Sequence, residues 1–560
     1  MKKLPIGISD YKKLIENDCY YVDKTLFIKE FWEGLSEVIL IPRPRRFGKT
    51  LNLSMLRYFF EHTIVDNSHL FSHTAIWQDP SIRELQGQFP VIFLTFKDVK
   101  EKSWESCYKK IREVIANEFR RHFNILEQTL ASYDLEKYLN LLKENAEEET
   151  YSTSLRFLTQ LLHDHYKKKV IVLIDEYDAP IHEAYINNYY PDVIRFFRSF
   201  FASVFKDNSY LERGVMTGIL RAAKEGIFSG LNNLDVYSIT HTKFQDKFGF
   251  TEEEVKQLLN DQNLPTKLSE IQEWYNGYLF GETTIYNPWS LNMYAKERGT
   301  LLSYWANTSD NQLVKGLLVY TVEDVKKDLE VLLSGQTIET EIDEAVIFPG
   351  IEHNPIALWS LLLFTGYLTY TKKEIIRSAL ICVLTIPNLE IKILYEKLIR
   401  SIIEDTFSAS NAKILLTALT TGNTEVFSEL LQEFISKSMS VFDLPKNEQE
   451  KSYHLFILGL LVYLMDTYEV KSNRESGFGR YDIMLIPKNI NQLGIVIEFK
   501  KATDDETIQQ TAHKALEQIK QKNYAQELKS RNINNIKLMG IAFLGKKVLV
   551  VSEDIGKNKQ

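Results

Sequence analysis

The chain has 560 residues, 44% of them hydrophobic and 12% aromatic, enough for several packed cores and about three domains at ~150 residues each. Three scattered cysteines, Cys19, Cys107 and Cys382, exclude a disulfide framework and fit a reducing compartment. The N-terminal stretch lacks the apolar core of a signal peptide and the longest apolar runs are too short to span a bilayer, so the expected location is cytoplasmic, with no membrane partner.

Residues Ile6 to Glu33 mix turn residues with an aromatic stretch, Tyr20-Tyr21-Val22-Asp23-Lys24-Thr25, and then turn helical through Phe27, Ile28, Phe31 and Trp32. The segment's place just before the first strand suits either an adenine-side flap or simple packing of that strand, and packing is the favoured expectation. The run Val38-Ile39-Leu40-Ile41 suits a buried parallel strand. The loop Arg43-Pro44-Arg45-Arg46-Phe47-Gly48-Lys49-Thr50 follows, and Leu51, Met55, Leu56 and Phe59 then recur at helical spacing. Strand, Gly-Lys-Thr and helix in that order is the context of a phosphate-binding loop, because loop N–H groups and the positive end of the helix dipole both meet the anion. Gly48, Lys49 and Thr50 are therefore expected at a nucleotide, with Lys49 reaching the phosphates and Thr50 ligating Mg²⁺. The usual pattern is G-x-x-x-x-G-K-[ST], and Arg43 stands where its first glycine belongs. Arg43, Arg45 and Arg46 can add charge-assisted bonds to phosphates or pair elsewhere.

A second strand is expected at Val91–Phe96, and helices near Trp104–Phe123, Leu135–Leu142 and Ser154–Tyr166. The next strand, Val170 to Ile174, runs into Asp175 and Glu176. An acid at the end of a buried strand can hold the Mg²⁺ shell, and its neighbour can orient or deprotonate the attacking water, so Asp175 is assigned to metal and Glu176 to water. A helix over Val193–Phe205 leads to a strand over Gly214–Ile219, where Thr217 can sense the γ-phosphate and Arg221 can act as an arginine finger; a structural role is an equal alternative for both. The order β-α-β-α-α-β-α-β predicts a parallel sheet flanked by helices.

From Thr251 to about Ser440 amphipathic helices dominate, punctuated by Trp274-Tyr275-Asn276-Gly277-Tyr278, Asn287-Pro288-Trp289-Ser290 and Tyr304-Trp305-Ala306-Asn307-Thr308-Ser309. One helix is expected over Leu358–Tyr370, broken near Gly366. Chemistry is absent here, and the expectation is a helical lid and linker. The polar stretch Ser436–Glu450 marks a boundary, which divides the chain into 1–250, 251–440 and 441–560.

The last segment carries a second chemistry. After an apolar helix at Tyr453–Leu464 and a short strand at Thr467–Ser472, Gly479-Arg480-Tyr481-Asp482-Ile483-Met484-Leu485-Ile486 and Gly494-Ile495-Val496-Ile497-Glu498-Phe499-Lys500 read as two buried hairpin strands. Glu498 and Lys500 are two apart and share a face. Asp482 and Glu498 can hold Mg²⁺ against a scissile phosphate while Lys500 polarises the attacking water or stabilises developing charge. A helix with Gln518 and Tyr524 follows, then strands at Leu538–Phe543 and Val548–Val551, an α-β-β-β-α-β order up to Phe543. Overall charge is −8, which alone does not suggest nucleic acid, but residues 499–560 hold twelve Lys/Arg against seven Asp/Glu, a net of +5 that leaves −13 for the remainder. A basic end is compatible with phosphate-backbone contact, and equally with an ordinary solvated surface.

With both sites in view the chain resembles a bacterial family of AAA-ATPase-like proteins fused to a C-terminal PD-(D/E)xK nuclease-superfamily domain. The resemblance is carried by Tyr21-Val22-Asp23-Lys24-Thr25, the Arg43–Thr50 loop, Leu173-Ile174-Asp175-Glu176-Tyr177-Asp178, Phe228-Ser229-Gly230-Leu231-Asn232-Asn233, Trp305-Ala306-Asn307-Thr308-Ser309, and Asp482 with Glu498-Phe499-Lys500. It implies an α/β P-loop domain, a helical middle and a restriction-endonuclease-like α/β domain. It also implies ATP and Mg²⁺ as cofactors, nucleic acid, DNA or RNA, as partner, nucleotide at Gly48, Lys49 and Thr50, and a nuclease-like site at Asp482, Glu498 and Lys500. Arginine in place of the first loop glycine is typical of that family. Glu450 is the nearest acid that can complete the metal site, with His454 one turn later. The leading expectation is an ATP-driven, Mg²⁺-dependent nuclease; the alternatives are a regulatory or signalling ATPase whose C-terminal domain binds nucleic acid or a partner without cutting, and a nucleotide switch that hydrolyses poorly. Homo-oligomerisation is left open.

Overall fold

The fold was obtained as a computed structural model, which describes all residues except 1, 128–129, 222–225, 229, 265–267, 306–313, 317–322, 346–348, 350, 442–455, 458, 461, 477–478, 503–505 and 557–560. Backbone alone is described at 323–324, 326, 352, 406, 438–441, 472–476 and 479–481. The chain divides into two compact units, Met1–Leu313 with Glu339–Ile391, and Val314–Ile338 with Lys392–Gln560.

The first unit is built on an all-parallel sheet of β1 (Val38–Pro42), β2 (Val91–Thr95), β3 (Val170–Asp175), β4 (Leu211–Gly218) and β5 (Leu234–Val236) in the order β2-β3-β4-β1-β5. β1 and β3 are buried at every position, which is why they read as continuous apolar runs rather than alternating ones. β4 lies between β1 and β3, so the strand carrying Thr217 separates the phosphate-loop strand from the Asp175 strand. The register pairs Ile41 with Thr217 and Thr95 with Asp175, placing these residues at one end of the sheet. That is the carboxyl end of the strands, where parallel sheets place ligands. β5 is short, lies at the sheet edge, and was not anticipated from the pattern.

The middle of the chain is helical, with two small sheets inserted. The helix Glu252–Asp261 opens with a capping box between Thr251 and Glu254. A hairpin of β6 (Tyr278–Phe280) and β7 (Thr283–Ile285) precedes the helix Pro288–Lys296, and β8 (Ile338–Ile342), β9 (Thr369–Ile376) and β10 (Ala379–Thr385) form a sheet in the order β8-β10-β9. The helix expected over Leu358–Tyr370 spans Pro355–Thr365 and stops at Gly366, whose φ of 89° makes it a left-handed C-cap. The residues expected to continue that helix begin β9. Val255, Leu258, Ile271, Tyr275 and Tyr294 form a core against which Tyr20, Val22 and Trp289 also pack.

In the second unit β11 (Tyr468–Ser476), β12 (Gly479–Pro487), β13 (Gly494–Lys501), β14 (Ile536–Leu544) and β15 (Lys547–Ile555) form a mixed sheet in that order. Only the β13–β14 pair is parallel, joined by a crossover through the helix Ile508–Gln521. The helix packs closely on β14, because a Cβ at Gly540 would stand 2.3 Å from the Ala512 carbonyl and 2.6 Å from the Leu516 amide. The helix expected at Tyr453–Leu464 is helical at its described residues 456–457, 459–460 and 462–464, whereas the polar boundary before it falls largely outside the described residues. No helix among the described residues is long and apolar enough to cross a membrane. The three cysteines are buried and form no disulfide.

All seven tryptophans belong to the first unit, which makes the two units separately readable. Gly540→Ala forces backbone atoms apart and should destabilise the second unit by about 1–3 kcal/mol. In denaturant titrations the tryptophan-fluorescence transition should stay in place while far-UV circular dichroism detects an earlier transition.

Candidate functional site

The phosphate loop takes its shape from two left-handed residues, Arg46 at φ 71° and Gly48 at φ 87°. Gly48 is the natural occupant of such a position, and the helix Lys49–Phe60 starts directly after it. Its first-turn N–H groups have no intrahelical acceptor and face the position of an anion. Lys49 is buried, and its ammonium donates to the Arg43 and Pro44 carbonyls at 3.1 Å each. Burial holds its pKa below the ordinary lysine range, against the opposing pull of Glu176, Asp178 and Asp175.

Asp175, at the tip of β3, is fully buried and gathers three hydroxyls. Thr50 donates to Oδ2 at 2.8 Å, Thr95 to the same oxygen at 3.1 Å, and Thr217 to Oδ1 at 2.8 Å. Burial, reinforced by neighbouring Glu176, raises the Asp175 pKa, while the Thr217 and Thr50 bonds pull the other way. An oxygen-rich cluster of this kind can hold a hard cation. Glu176 is turned out of the strand by φ 48° and lines the adjacent cavity. That cavity, about 610 Å³, is lined by Arg45, Arg46, Gly48, Lys49, Thr50 and Glu176 among others, within the size range of small-ligand sites. Gly48, Lys49, Thr50 and Glu176 thus line the cavity, while Asp175 and Thr217 are fully buried and reach that group through the Thr50–Asp175–Thr217 hydrogen bonds without lining it.

Two arginines stand apart from this group. Arg43 was expected beside phosphate, yet it is fully buried behind the loop and does not line the cavity. Its guanidinium donates to the carbonyls of Pro42 (2.8 Å), Tyr237 (2.7 Å) and Phe244 (3.3 Å), with the Phe248 and Phe280 rings 5.1 and 5.3 Å away. Burial pushes its pKa down to about 9, and among the described residues it has no carboxylate partner. Arg43 therefore ties the end of β1 to the 237–250 segment. Arg221 is also outside the cavity lining, and its buried Nε has no hydrogen-bond partner. Arg46 does face the cavity, with its guanidinium 4.0 Å from the centre of the Trp289 ring.

Several residues at this site were given no role from the sequence, though Lys24, Asp178 and Trp305 lie in the quoted motifs. Thr95 carries no motif, and only the register of β2 against β3 brings it to Asp175. Lys97 and Lys100, just beyond β2, line the cavity. Asp178 accepts from the Ile219 and Leu220 N–H groups at 2.7 and 2.9 Å, fastening the loop after β3 to the loop after β4. Burial pushes its pKa up to about 6. Lys24, from the Tyr-Val-Asp-Lys-Thr stretch, is bound by both Glu254 carboxylate oxygens at 2.6 Å and by the Asp246 carbonyl at 2.7 Å. Trp305 donates through its ring N–H to the Arg45 carbonyl at 3.2 Å, while its backbone N–H is held at 2.6 Å by the buried carboxylate of Glu390, which also accepts from Ser290 at 2.8 Å. Burial pushes Glu390 up to about 7. The Ala306–Ser309 part of that motif, and Ser229, lie outside the described residues.

The second site lies on β12 and β13. Their register pairs Ile483 with Ile497, so Asp482 and Glu498 are each one residue beyond a paired rung. Asp482 Oδ2 accepts the Phe499 N–H at 2.7 Å, and Gln518 from the crossover helix donates to Glu498 Oε1. Glu498 Oε2 is buried without a partner. Burial, then the charge of Asp482, pushes Glu498 up to about 8, against the pull of Lys500 and Gln518; burial also raises Asp482. Two desolvated carboxylates with an unpaired oxygen are a donor set that fits a hard divalent cation. Among the described residues no group of three His, Cys, Asp or Glu is arranged around a metal position. Glu450 and His454, considered as completing ligands, lie outside the described residues. Gln518 is the partner that residue patterns did not assign, since only the helix crossover brings it to Glu498.

This geometry agrees with comparison to known proteins. Residues 5–228 match the family described as "Predicted AAA-ATPase", and residues 448–553 match the PD-(D/E)XK nuclease superfamily. The chain thus carries an AAA-ATPase-like domain followed by a PD-(D/E)XK nuclease-superfamily domain. It is also similar over nearly its full length to a protein of Azotobacter chroococcum mcd 1 described as "Uncharacterized protein in vnfD 5'region", at 28% identity over 565 residues, covering 97% of this chain and 96% of that protein.

The raised Glu498 pKa fixes the sign of a pH effect. The fold favours the protonated carboxyl, so its contribution to stability is complete below the ordinary glutamate range and is lost as pH rises through about 8. A cation bound at this carboxylate would compete with that proton. Affinity for Mg²⁺ or Mn²⁺ at this site should climb by up to about tenfold per pH unit below pH 8 and level off above it. Calorimetric titrations across pH 6–9 measure the slope, and Glu498→Gln should flatten it.

Proposed function

We propose that the chain binds and hydrolyses ATP at the Asp175 cluster and that its C-terminal domain is a Mg²⁺-dependent nuclease whose cutting of nucleic acid depends on the nucleotide state. The observation that carries the proposal is the convergence of Thr50, Asp175 and Thr217 from three separate elements beside a phosphate loop. On this reading Gly48 and Lys49 hold the phosphates, Thr50 and Asp175 hold the Mg²⁺ of the substrate complex, and Glu176 orients the attacking water. Thr217 keeps Asp175 aimed, and Arg46, with Lys97 and Lys100, adds charge at the phosphates. The cavity supports this assignment for Arg46; for Arg43 the bonds to backbone carbonyls support a supporting role behind the loop. In the C-terminal domain Asp482 and Glu498 hold the cation, which supplies a Lewis acid for the phosphodiester. Lys500 stabilises the developing charge or polarises water, and Gln518 orients Glu498. The organisation into residues 1–250, 251–440 and 441–560 is retained as a functional division, with the middle region relaying the nucleotide state.

The alternative reading is a regulatory or signalling ATPase whose C-terminal domain binds nucleic acid or a partner without cleaving it. Incubating plasmid DNA and RNA with the protein, with and without Mg²⁺ and ATP, separates the two readings.

Lys49→Ala should weaken nucleotide binding, because the phosphates lose their buried charge. Glu176→Gln should bind ATP normally and release phosphate slowly, about 10²-fold or more below the parent, since an amide accepts no proton. Binding titrations with phosphate-release kinetics check the pair, and equal loss of binding in both variants contradicts the assigned roles.

Asp482→Ala and Lys500→Ala should each abolish cleavage while ATP turnover stays close to normal, because the residues belong to a separate compact unit. Lys49→Ala should reduce cleavage as well if ATP drives it. Cleavage and turnover measured on one substrate decide the matter: normal cutting by Lys49→Ala uncouples the activities, and cutting by Asp482→Ala places the nuclease site elsewhere.

A further inference from the structure

The phosphate loop holds a conformation that its own residues do not secure. Arg46 sits at φ 71°, in the left-handed region, where a residue other than glycine persists only if its surroundings fix it. Two tryptophans do the fixing. Trp305 donates its ring N–H to the Arg45 carbonyl at 3.2 Å, and the Arg46 guanidinium lies 4.0 Å from the centre of the Trp289 ring. The peptide between Arg45 and Arg46 is trans, so a carbonyl turned to Trp305 turns the Arg46 N–H the opposite way. That N–H has no acceptor among the described residues, and Arg46 lines the cavity.

Both tryptophans lead back to one carboxylate. Glu390, in the first turn of the helix Leu389–Thr406, is 1% exposed. Its Oε1 accepts the Trp305 backbone N–H at 2.6 Å and its Oε2 accepts the Ser290 hydroxyl at 2.8 Å. Ser290 follows Trp289 at the start of the helix Pro288–Lys296, and the Trp289 ring N–H is bonded to the Tyr304 carbonyl at 3.3 Å. Glu390 has no cationic partner among the described residues; burial pushes its carboxyl up to about 7, and the bonded donors pull the other way. Burying an acid is costly, and the two oxygens here are spent on holding two segments that each reach the phosphate loop.

We infer that Glu390 and Trp305 are positioning residues for the nucleotide: together they fix the Arg45–Arg46 peptide so that the Arg46 N–H meets a phosphate. The inference rests on the phosphate-loop reading above and deepens it. One arm runs from Glu390 through the Trp305 backbone and ring to the Arg45 carbonyl. The other runs from Glu390 through Ser290 and Trp289 to the Arg46 side chain. The arms meet in adjacent loop residues, and all of these residues belong to the first compact unit. Neither Glu390 nor Trp305 touches the ligand. A phosphate oxygen that accepts the Arg46 N–H forms a charge-assisted bond, so misdirecting that one N–H is costly.

The test titrates a non-hydrolysable ATP analogue with Mg²⁺ into the full chain by calorimetry, which reads affinity and the number of filled sites separately. Trp305→Phe keeps the ring packing and removes the ring N–H; Kd should rise about tenfold or more, the size of one hydrogen bond to a charged group. Glu390→Leu leaves the Trp305 N–H and the Ser290 hydroxyl without their acceptor and should weaken binding at least as much. Glu390→Gln is the rescue, because its amide oxygen accepts from Trp305 while its NH₂ donates to Ser290 Oγ, and Kd should stay within about threefold of the parent. The number of filled sites should stay near the parent's in all three. A merely structural role gives the reverse pattern, fewer filled sites at the parent's affinity. Tyr275→Phe removes a hydroxyl bonded to the Leu302 carbonyl at 2.9 Å in the neighbouring core; it should lower the melting temperature without raising Kd. Should Glu390→Leu fail to fold, Trp305→Phe and Glu390→Gln decide. Parental affinity in Trp305→Phe, a Glu390→Gln protein that binds as weakly as Trp305→Phe, or an equal rise in Kd for Tyr275→Phe overturns the inference. Failure of the parent to bind the analogue, or binding indifferent to Lys49→Ala, overturns the phosphate-loop reading instead.

Discussion

The first unit depends on one buried carboxylate. Asp175 ends a strand, and its two oxygens bind hydroxyls from β2, β4 and the phosphate-loop helix. An ionised carboxylate in a dry interior is costly unless its lone pairs are occupied, and three hydroxyls occupy them here. The same bonds hold three strand ends and the start of a helix to one another, so the desolvated acid sets the geometry of the loop it faces. Lys49 answers it from the other side, folded onto the carbonyls of its own loop.

The second site balances its charges differently. Asp482 is steadied by one backbone N–H, whereas Glu498 keeps an unpaired oxygen and a proton affinity far above that of a solvated carboxyl. At Asp175 the protein supplies most of the compensation for burial itself. At Glu498 part of it is left to something outside the chain, and the carboxyl oxygens nearby make a cation the natural candidate. The two acids thus express two solutions to one desolvation problem, one internally satisfied and one open.

Much of this could be read from residues alone because the motifs are local. Strand, loop and helix around Gly48, the two acids after Ile174, and the hairpin bearing Asp482, Glu498 and Lys500 all lie within short windows whose periodicity determines direction. Arg43 shows where that reading stops. Sequence gives its charge, but which side of the loop the charge faces depends on carbonyls about 200 residues away at Tyr237 and Phe244. Thr95 was missed, and Asp178 and Trp289 were quoted without a role, for the same reason: each matters through a partner or a cavity that only tertiary packing supplies. The strands β5, β6 and β7 were missed because three residues carry too little periodicity to declare themselves among helices, and β9 because most of it is exposed and shows no apolar alternation.

Arg43 also constrains how this loop can change over evolutionary time. A glycine there would restore the common phosphate-loop pattern on paper. In this protein it would leave three backbone carbonyls without their donors and open a void between Phe248 and Phe280. The consensus residue is therefore accessible only after the aromatic cage and the 237–244 turn have been rebuilt. The cage, in turn, gains nothing by shrinking while the arginine remains. Two stretches far apart in the chain are thus tied through one side chain, so that a change in either must be accommodated by the other.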